Sequence, residues 1–172
     1  YLKSKVRLQH LLQNKNERLK EIVRMPNQED RFLEFRALIQ QREGLQQLLD
    51  CFPFLISTNV SCSKLASAEP IFDLMIMDEA GQCSNPLSLL PMARCRRALF
   101  VGDPSQLQPV ITLPSSRNTR LVWDYDIPQA YDYKMNSILS TMLKVDTLSK
   151  FILLKHHYRC ADPIIAFSNQ KY

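Results

Sequence analysis

Apolar residues recur at helical spacing in the first 50 residues and form two runs. The first run consists of Leu8, Leu11, Leu12, Leu19, Ile22 and Val23. Pro26 and Asn27 interrupt the period, and a second run continues from Glu29 and Asp30 to Leu49. The two acids suit a helix N-terminus, and spacings of three and four residues place the apolar side chains on one helix face. The pattern predicts a helical hairpin over residues 1–50.

From Cys51 onwards the pattern changes to short apolar runs separated by polar segments. The runs cover residues 54–58, 72–77, 97–101 and 151–154. Between the second and third runs, Asn85 and Pro86 suit the N-cap and first turn of a short helix that ends at Met92. Strands that alternate with helices are typical of an α/β fold with a parallel sheet. Residues 112–134 have no clear period and are predicted to form a long surface loop.

The strand predicted at residues 72–77 leads directly into two adjacent carboxylates, Asp78 and Glu79. Its largely apolar run is typical of a fully buried strand, so two charges at its end need a reason. In the Walker B pattern of P-loop NTPases, the Asp holds Mg²⁺ and the Glu orients or deprotonates the attacking water. The alternative, from the residues alone, is a strand that ends in a solvated turn.

Two further predicted strand ends carry polar side chains. The third run is followed by Asp103 and Gln106, and the neutral amide of Gln106 can hydrogen-bond a terminal phosphate that ADP lacks. The fourth run is followed by Tyr158 and Arg159. Arg159 is a candidate phosphate clamp, and the alternative is a surface cation. Because ligands bind beyond the carboxyl ends of strands in open α/β sheets, these ends predict a ligand site.

Taken in order, three segments resemble motifs II, III and IV of superfamily 1 helicases: "DEAGQ", "GDPSQLQPV" and "LLKHHYRCADPIIAFSNQKY". The branch is that of the nonsense-mediated-decay helicase and its DNA and RNA helicase relatives. The segment "ISTNVSCSKL" at residues 56–65 is similar to the motif that precedes motif II, so the resemblance covers about residues 54–172. It implies part of a RecA-like P-loop NTPase domain, and an ATP-dependent helicase or translocase that acts on single-stranded RNA or DNA.

The resemblance also implies roles for the residues around the nucleotide phosphates. Asp78 would coordinate Mg²⁺, Glu79 would be the catalytic base, and Gln82 would couple the site to neighbouring motifs. Gln106 would contact the γ-phosphate of ATP, and Asp103 would brace the turn that carries it. A bound metal and phosphates would neutralise the two adjacent acids, which accounts for their place at the end of a buried strand.

Four further positions are matched by the same resemblance. Arg159 is similar to the arginine finger of the family, and Tyr158 is similar to the residue near the nucleotide base. Ser57 and Thr58 match positions that face the nucleic-acid backbone, where hydroxyls contact phosphate without reading sequence.

The chain departs from the family pattern around motif IV. His157 stands where the family usually has Gln, and Cys160 and Ala161 stand where it has Met and His. The pair His156 and His157 raises a metal site as an alternative, but no third ligand at a matching spacing accompanies it. The pair is therefore interpreted as a motif variant.

Composition and charge narrow the class of protein. The 172 residues are 45% hydrophobic, which is enough for one core, and no apolar run has the length of about 20 residues that a membrane span needs. The net charge of +5 is too small to indicate a nucleic-acid partner by itself. The five cysteines contain no CxxC pair, which argues against a zinc knuckle or a disulfide framework. We expect a cytoplasmic or nuclear protein without a membrane segment.

The phosphate-binding GxxxxGK[ST] loop cannot occur in this chain, whose only glycines are Gly44, Gly81 and Gly102. We therefore expect a fragment of a larger helicase that does not hydrolyse ATP by itself. The expected parts are a helical hairpin insertion (1–50), the C-terminal part of a first RecA-like domain (51–111), a long loop and connecting helix (112–150) and the start of a second RecA-like domain (151–172). Two alternatives remain open: a non-catalytic nucleic-acid-binding or scaffold protein that keeps the fold, and a P-loop ATPase of another kind.

Overall fold

The computed structural model describes residues 16–66, 69–154 and 161–171. These ranges contain the helices α1 (Glu17–Arg24), α2 (Gln28–Gln40), α3 (Arg42–Cys51), α4 (Asn85–Met92), α5 (Ser115–Asp124), α6 (Ile138–Val145) and α7 (Asp162–Lys171). They also contain the strands β1 (Met75–Met77) and β2 (Ala98–Phe100) and short 3₁₀ turns at Ser61–Lys64, Ala80–Gln82 and Gln129–Tyr131. Among these ranges, no helix has the length and apolar character that crossing a bilayer requires.

The helices α1, α2 and α3 form the described part of the predicted hairpin, and residues 1–15 lie outside the described residues. The second apolar run is divided between two helices. The side chain of Asn27 caps α2 by accepting the backbone N–H of Glu29 at 2.9 Å. The helix ends at Gln41, whose backbone is extended (φ −95°, ψ 137°), so the prediction of one continuous helix to Leu49 is wrong. The break lets α3 fold back on α2, and Gly44 makes this possible because a Cβ there would overlap the carbonyl oxygen of Leu38.

One apolar core joins this helical region to the chain that follows it. The core consists of Leu19, Ile22, Leu38, Leu45, Leu48, Cys51, Cys62, Leu65 and Ala66. The buried Arg94 connects two parts of it, because its Nε donates to the Ala66 carbonyl at 3.1 Å and its Nη1 donates to the Leu90 carbonyl at 2.7 Å. The end of α4 is thereby fixed to the segment before β1.

β1 and β2 are parallel neighbours, paired Met75 to Ala98 and Met77 to Phe100, which confirms the predicted α/β fold with a parallel sheet. The crossover helix α4 ends at Met92, as predicted. Its N-cap is Ser84 rather than the predicted Asn85, which is the first helical residue.

Three predictions about strands are wrong within the described residues. The runs at 54–58 and 151–154 have no strand partner, and their apolar side chains are exposed. The strand at 72–77 is not fully buried: Ile76 is 63% exposed, and its pairing partner Leu99 is 49% exposed. The physical reason is the same in each case: burying a strand needs neighbouring strands and a layer on both faces, and here only one face of two strands is covered.

The predicted surface loop at 112–134 is also wrong, because it contains the ten-residue helix α5. The buried residue of α5 is polar. Asn118 is 5% exposed, and its Nδ2 donates to Asp132 Oδ1 at 2.9 Å. A helix held by amide and carboxylate contacts gives no apolar period, which explains why the pattern misses it.

α6 follows this segment and packs under the sheet. The hydroxyl of Ser137 caps it by accepting the Ser140 backbone N–H at 3.2 Å. Thr141, fully buried, accepts Asn85 Nδ2 at 2.9 Å and donates to the Ala130 carbonyl at 2.8 Å. These contacts connect α4, α6 and the Gln129–Tyr131 turn into one polar network.

Candidate functional site

The carboxyl ends of β1 and β2 are joined by backbone hydrogen bonds beyond the last strand residues. The Val101 N–H donates to the Met77 carbonyl at 2.8 Å, and the Ala80 N–H donates to the Val101 carbonyl at 2.8 Å. The loop at residues 78–82 and the loop at residues 102–106, called here the DEAGQ loop and the GDPSQ loop, therefore leave the sheet side by side. The ends of these two strands therefore lie together, as predicted.

Two glycines let the loops touch through their backbones. A Cβ at Gly81 would lie 2.8 Å from the carbonyl oxygen of Asp103. A Cβ at Gly102 would lie 3.0 Å from the amide nitrogens of both Ala80 and Gly81. Neither position has room for a side chain, so each glycine is explained by close approach rather than by an unusual φ.

The two acids stand at the exposed start of the DEAGQ loop. Glu79 has a left-handed backbone (φ 52°, ψ 38°), which is uncommon for a residue other than glycine. The Glu79 N–H donates to Asp78 Oδ1 at 2.9 Å, so the first acid supports the conformation of the second. A strained backbone of this kind costs on the order of 1–3 kcal/mol and is enriched at functional sites. The turn directs two adjacent carboxylates into solvent.

Each loop contains a glutamine whose amide donates to the acid three residues earlier. Gln82 Nε2 donates to Glu79 Oε2 at 3.3 Å, and Gln106 Nε2 donates to Asp103 Oδ2 at 3.2 Å. All four side chains are exposed. The predicted residues Asp78, Glu79, Gln82, Asp103 and Gln106 therefore lie on two touching loops at one edge of the sheet.

α6, a helix within the segment where a connecting helix is predicted (112–150), supports both loops from within the core, which the sequence pattern does not indicate. The Ile138 N–H donates to the Cys83 carbonyl at 2.9 Å, and Ile138 and Leu139 bury Met77 and Ala80. The signal that locates the start of this helix is Ser137, a typical N-cap residue directly before an apolar run.

Cys83 lies between the DEAGQ loop and the segment that contains the predicted nucleic-acid contacts. Burial raises the pKa of its thiol, a hydrogen bond with the Asn59 side chain lowers it, and the charge of Glu79 raises it. Asn59 directly follows Ser57 and Thr58 in the chain. The Cys83 thiol itself donates to the Glu79 carbonyl at 3.6 Å, which places it against the DEAGQ loop.

Ser57 and Thr58 are exposed, and their hydroxyls already have local partners. Thr58 Oγ1 accepts the Ser61 N–H at 3.2 Å and starts the 3₁₀ turn, and Ser57 Oγ donates to the Thr58 carbonyl at 3.1 Å. Thr58 Oγ1 also donates to Ser61 Oγ at 3.0 Å, so both hydroxyl protons are engaged, and a contact with a phosphate would have to replace one of these bonds. The other two predicted site residues, Tyr158 and Arg159, lie outside the described residues.

The donor set fits a magnesium ion that is only partly coordinated by protein. Asp78 and Glu79 offer the hard oxygen ligands that Mg²⁺ prefers. Among residues 16–66, 69–154 and 161–171, no group of three His, Cys, Asp or Glu side chains could hold a metal. Mg²⁺ in nucleotide sites commonly takes one or two carboxylates and completes its shell with water and phosphate oxygens. Asp78, exposed at the start of the DEAGQ loop, suits that arrangement.

Comparison with known proteins gives a family match over the first two thirds of the chain. The family model of the AAA domain matches residues 2–113. The chain belongs to this family. Together with the similar helicases below, the match confirms the resemblance to superfamily 1 helicases.

Three relatives show the extent of the similarity. The mouse 5'-3' DNA helicase ZGRF1 is 27% identical over 168 residues, which is 92% of this chain and 8% of that protein. The mouse DNA replication ATP-dependent helicase/nuclease DNA2 is 33% identical over 73 residues, 42% of this chain and 7% of that protein. The probable helicase MAGATAMA 3 of Arabidopsis thaliana is 44% identical over 48 residues, 27% of this chain and 6% of that protein.

The chain thus spans less than a tenth of the length of these relatives. No solved structure matches the chain.

Proposed function

We propose that this chain is part of an ATP-dependent helicase or translocase that couples Mg-ATP hydrolysis to movement on single-stranded RNA or DNA. The observation that carries the proposal is the direct backbone contact between the DEAGQ and GDPSQ loops, through Gly81 and Gly102. This contact brings three acids and two amides to one edge of a parallel sheet, where α/β proteins bind ligands. The similarity to named helicases supports the same class of function.

In this proposal the two acids have different roles. Asp78 would hold Mg²⁺, and Glu79 would accept the proton of the attacking water. Mg²⁺, when bound with ATP, supplies positive charge to the phosphate oxygens. Gln82 supports the role of Glu79, because its side-chain amide donates a hydrogen bond to Glu79 Oε2 at 3.3 Å and so orients the carboxylate. A base that is already oriented loses less entropy when the reaction occurs.

The remaining sites extend the same reading. Gln106 would contact the γ-phosphate from the GDPSQ loop, Arg159 would be the finger that stabilises charge on the transferring phosphoryl, and Tyr158 would lie near the nucleotide base. Ser57 and Thr58 would contact the backbone of a single strand. A nuclear or cytoplasmic location follows from such a substrate.

The test is a pair of substitutions in the full-length protein. Glu79→Gln keeps the size of the side chain and removes the base, so Mg-ATP should still bind while single-turnover hydrolysis falls by roughly 10² to 10⁴. Asp78→Asn should weaken the Mg²⁺ dependence of nucleotide binding, because Mg²⁺ prefers a carboxylate oxygen to an amide. Asp73→Asn is the matched control: Asp73 is also exposed, precedes β1, and faces Arg96 at 3.9 Å.

Nucleotide affinity with and without Mg²⁺, measured beside single-turnover hydrolysis, separates the outcomes. If Glu79→Gln hydrolyses ATP at the wild-type rate, or if both variants behave alike, the assigned roles are wrong. If the wild-type protein binds nucleotide and single strands but never turns over, the non-catalytic alternative replaces the proposal.

A further inference from the structure

The side chain of Asp103 uses both of its oxygens within the GDPSQ loop. Oδ1 accepts the Ser105 N–H at 2.9 Å, which forms the turn, and Oδ2 accepts Gln106 Nε2 at 3.2 Å. The Gln106 N–H also donates to the Asp103 carbonyl at 3.3 Å. Gln106 is therefore held to Asp103 through its side chain as well as its backbone.

The position of Asp103 is itself fixed. Its carbonyl oxygen lies at the contact with Gly81, where an added Cβ would be 2.8 Å away, and the preceding Gly102 lies against Ala80 and Leu139. Asp103 cannot follow Gln106 if that side chain turns toward a ligand. A new partner for the Gln106 amide must compete with a carboxylate that stays in place.

The Asp103 carboxylate repels a phosphate bound at the same amide, because both groups are anions. If the Gln106 amide bound a phosphate while it still donated to Asp103, two anions would share one amide group at a separation of a few ångströms. Each N–H of the amide can donate to one anion, but like charges at this distance repel, so the two bonds weaken each other. ADP offers no group that reaches for the amide, and with ADP the Asp103 bond can persist.

We propose that Asp103 is a specificity-determining residue, which holds the Gln106 amide until a γ-phosphate displaces it and so sets the preference for ATP over ADP. This inference rests on the proposed function, in which Gln106 contacts the γ-phosphate. Breaking the hydrogen bond to Asp103 reduces the binding free energy of ATP but not that of ADP. Removing it strengthens ATP binding and leaves ADP binding unchanged, apart from any effect of charge that both nucleotides feel.

The experiment measures the affinities of the full-length protein for ATP and for ADP, both with Mg²⁺, and follows their ratio. Asp103→Asn keeps an oxygen for the Ser105 N–H and loses the anionic acceptor of the Gln106 amide. Because an exposed hydrogen bond contributes modestly, the preference for ATP over ADP should rise by roughly two- to tenfold. Gln108→Ala is the matched control, since Gln108 is an exposed glutamine of the next turn whose amide donates to the Pro104 carbonyl at 3.4 Å.

The same substitution in a Gln106→Ala background separates the hydrogen bond from the charge. With no amide to hold, only the charge of Asp103 still acts on the phosphates, so Asp103→Asn should change the ATP to ADP ratio much less than it does when Gln106 is present. An equal change of the ratio in both backgrounds, or no change in either, overturns the inference while nucleotide binding and the proposed function stand. If the wild-type protein binds neither nucleotide, the proposed function fails, and the inference fails with it.

Discussion

The contact between the DEAGQ and GDPSQ loops allows a direct test with one added methyl group, Gly81→Ala. The new Cβ would lie 2.8 Å from the Asp103 carbonyl oxygen, whereas ordinary contacts begin at 3.4 Å. The obstacle is backbone, which cannot turn aside as a flexible side chain does. The loops must therefore separate by about 0.6 Å, the difference between these two distances.

The magnitude follows from two effects. Overpacking at a fixed backbone costs about 1–3 kcal/mol in stability. A misplacement of about 1 Å at reacting groups lowers the rate by about 10². For this smaller separation we expect kcat for ATP hydrolysis to fall by roughly tenfold to a hundredfold in the full-length protein, with a smaller change in KM.

Gly44→Ala is the control of identical chemistry. Its Cβ would also meet a backbone carbonyl, that of Leu38, but within the α2–α3 corner. This variant should lose thermal stability without losing kcat per folded molecule. The assay is steady-state ATP hydrolysis beside thermal unfolding for both variants. A Gly81→Ala protein with wild-type kcat would show that the loop contact does not position the chemistry.

Three further predictions concern other parts of the chain. Arg159→Ala should lower kcat of the full-length protein by roughly 10³ to 10⁵ with little effect on ATP affinity; turnover above about a tenth of wild type would make Arg159 a structural cation. Thr141→Val should cost about 1–3 kcal/mol in denaturant unfolding, because it removes hydrogen bonds to the buried Asn85 amide and to the partly buried Ala130 carbonyl. Thr119→Val, at an exposed hydroxyl that donates to the Ser115 carbonyl, should cost less than about 0.5 kcal/mol. Burial raises the thiol pKa of Cys83 and Cys95 in the folded protein, so these thiols lose their protons at a lower pH in the unfolded chain than in the folded protein. Their contribution to the free energy of unfolding should therefore be complete below about pH 8.5 and decline above it. A Cys83→Ser and Cys95→Ser double variant that declines as steeply would exclude these thiols as the cause.

The features predicted correctly from sequence are those that depend on local patterns. A Pro in the first turn and an apolar run of suitable length locate α4, and two apolar runs locate β1 and β2. The parallel arrangement then follows from the crossover, and with it the convergence of Asp78 and Asp103 at one edge.

The features that were missed depend on contacts between distant residues. α5 is stabilised by the contact of Asn118 with Asp132, which no apolar period reports. The break at Gln41 depends on how closely Gly44 approaches Leu38. The left-handed backbone of Glu79 depends on a turn that the Asp78 side chain supports. Residue types alone do not predict that turn. The roles of all the site residues, including Tyr158 and Arg159 outside the described residues, stay predictions.

The face of the sheet that α6 does not cover has a consequence for how the protein behaves in solution. Leu74, Ile76 and Leu99 are each about half exposed or more, and both strands of the two-stranded sheet have an open edge within the described residues. Apolar side chains beside unpaired backbone groups are a template for the addition of further strands from other chains. Residues 1–172 produced alone will therefore self-associate as the protein concentration rises, and light scattering will report this before any loss of helix content.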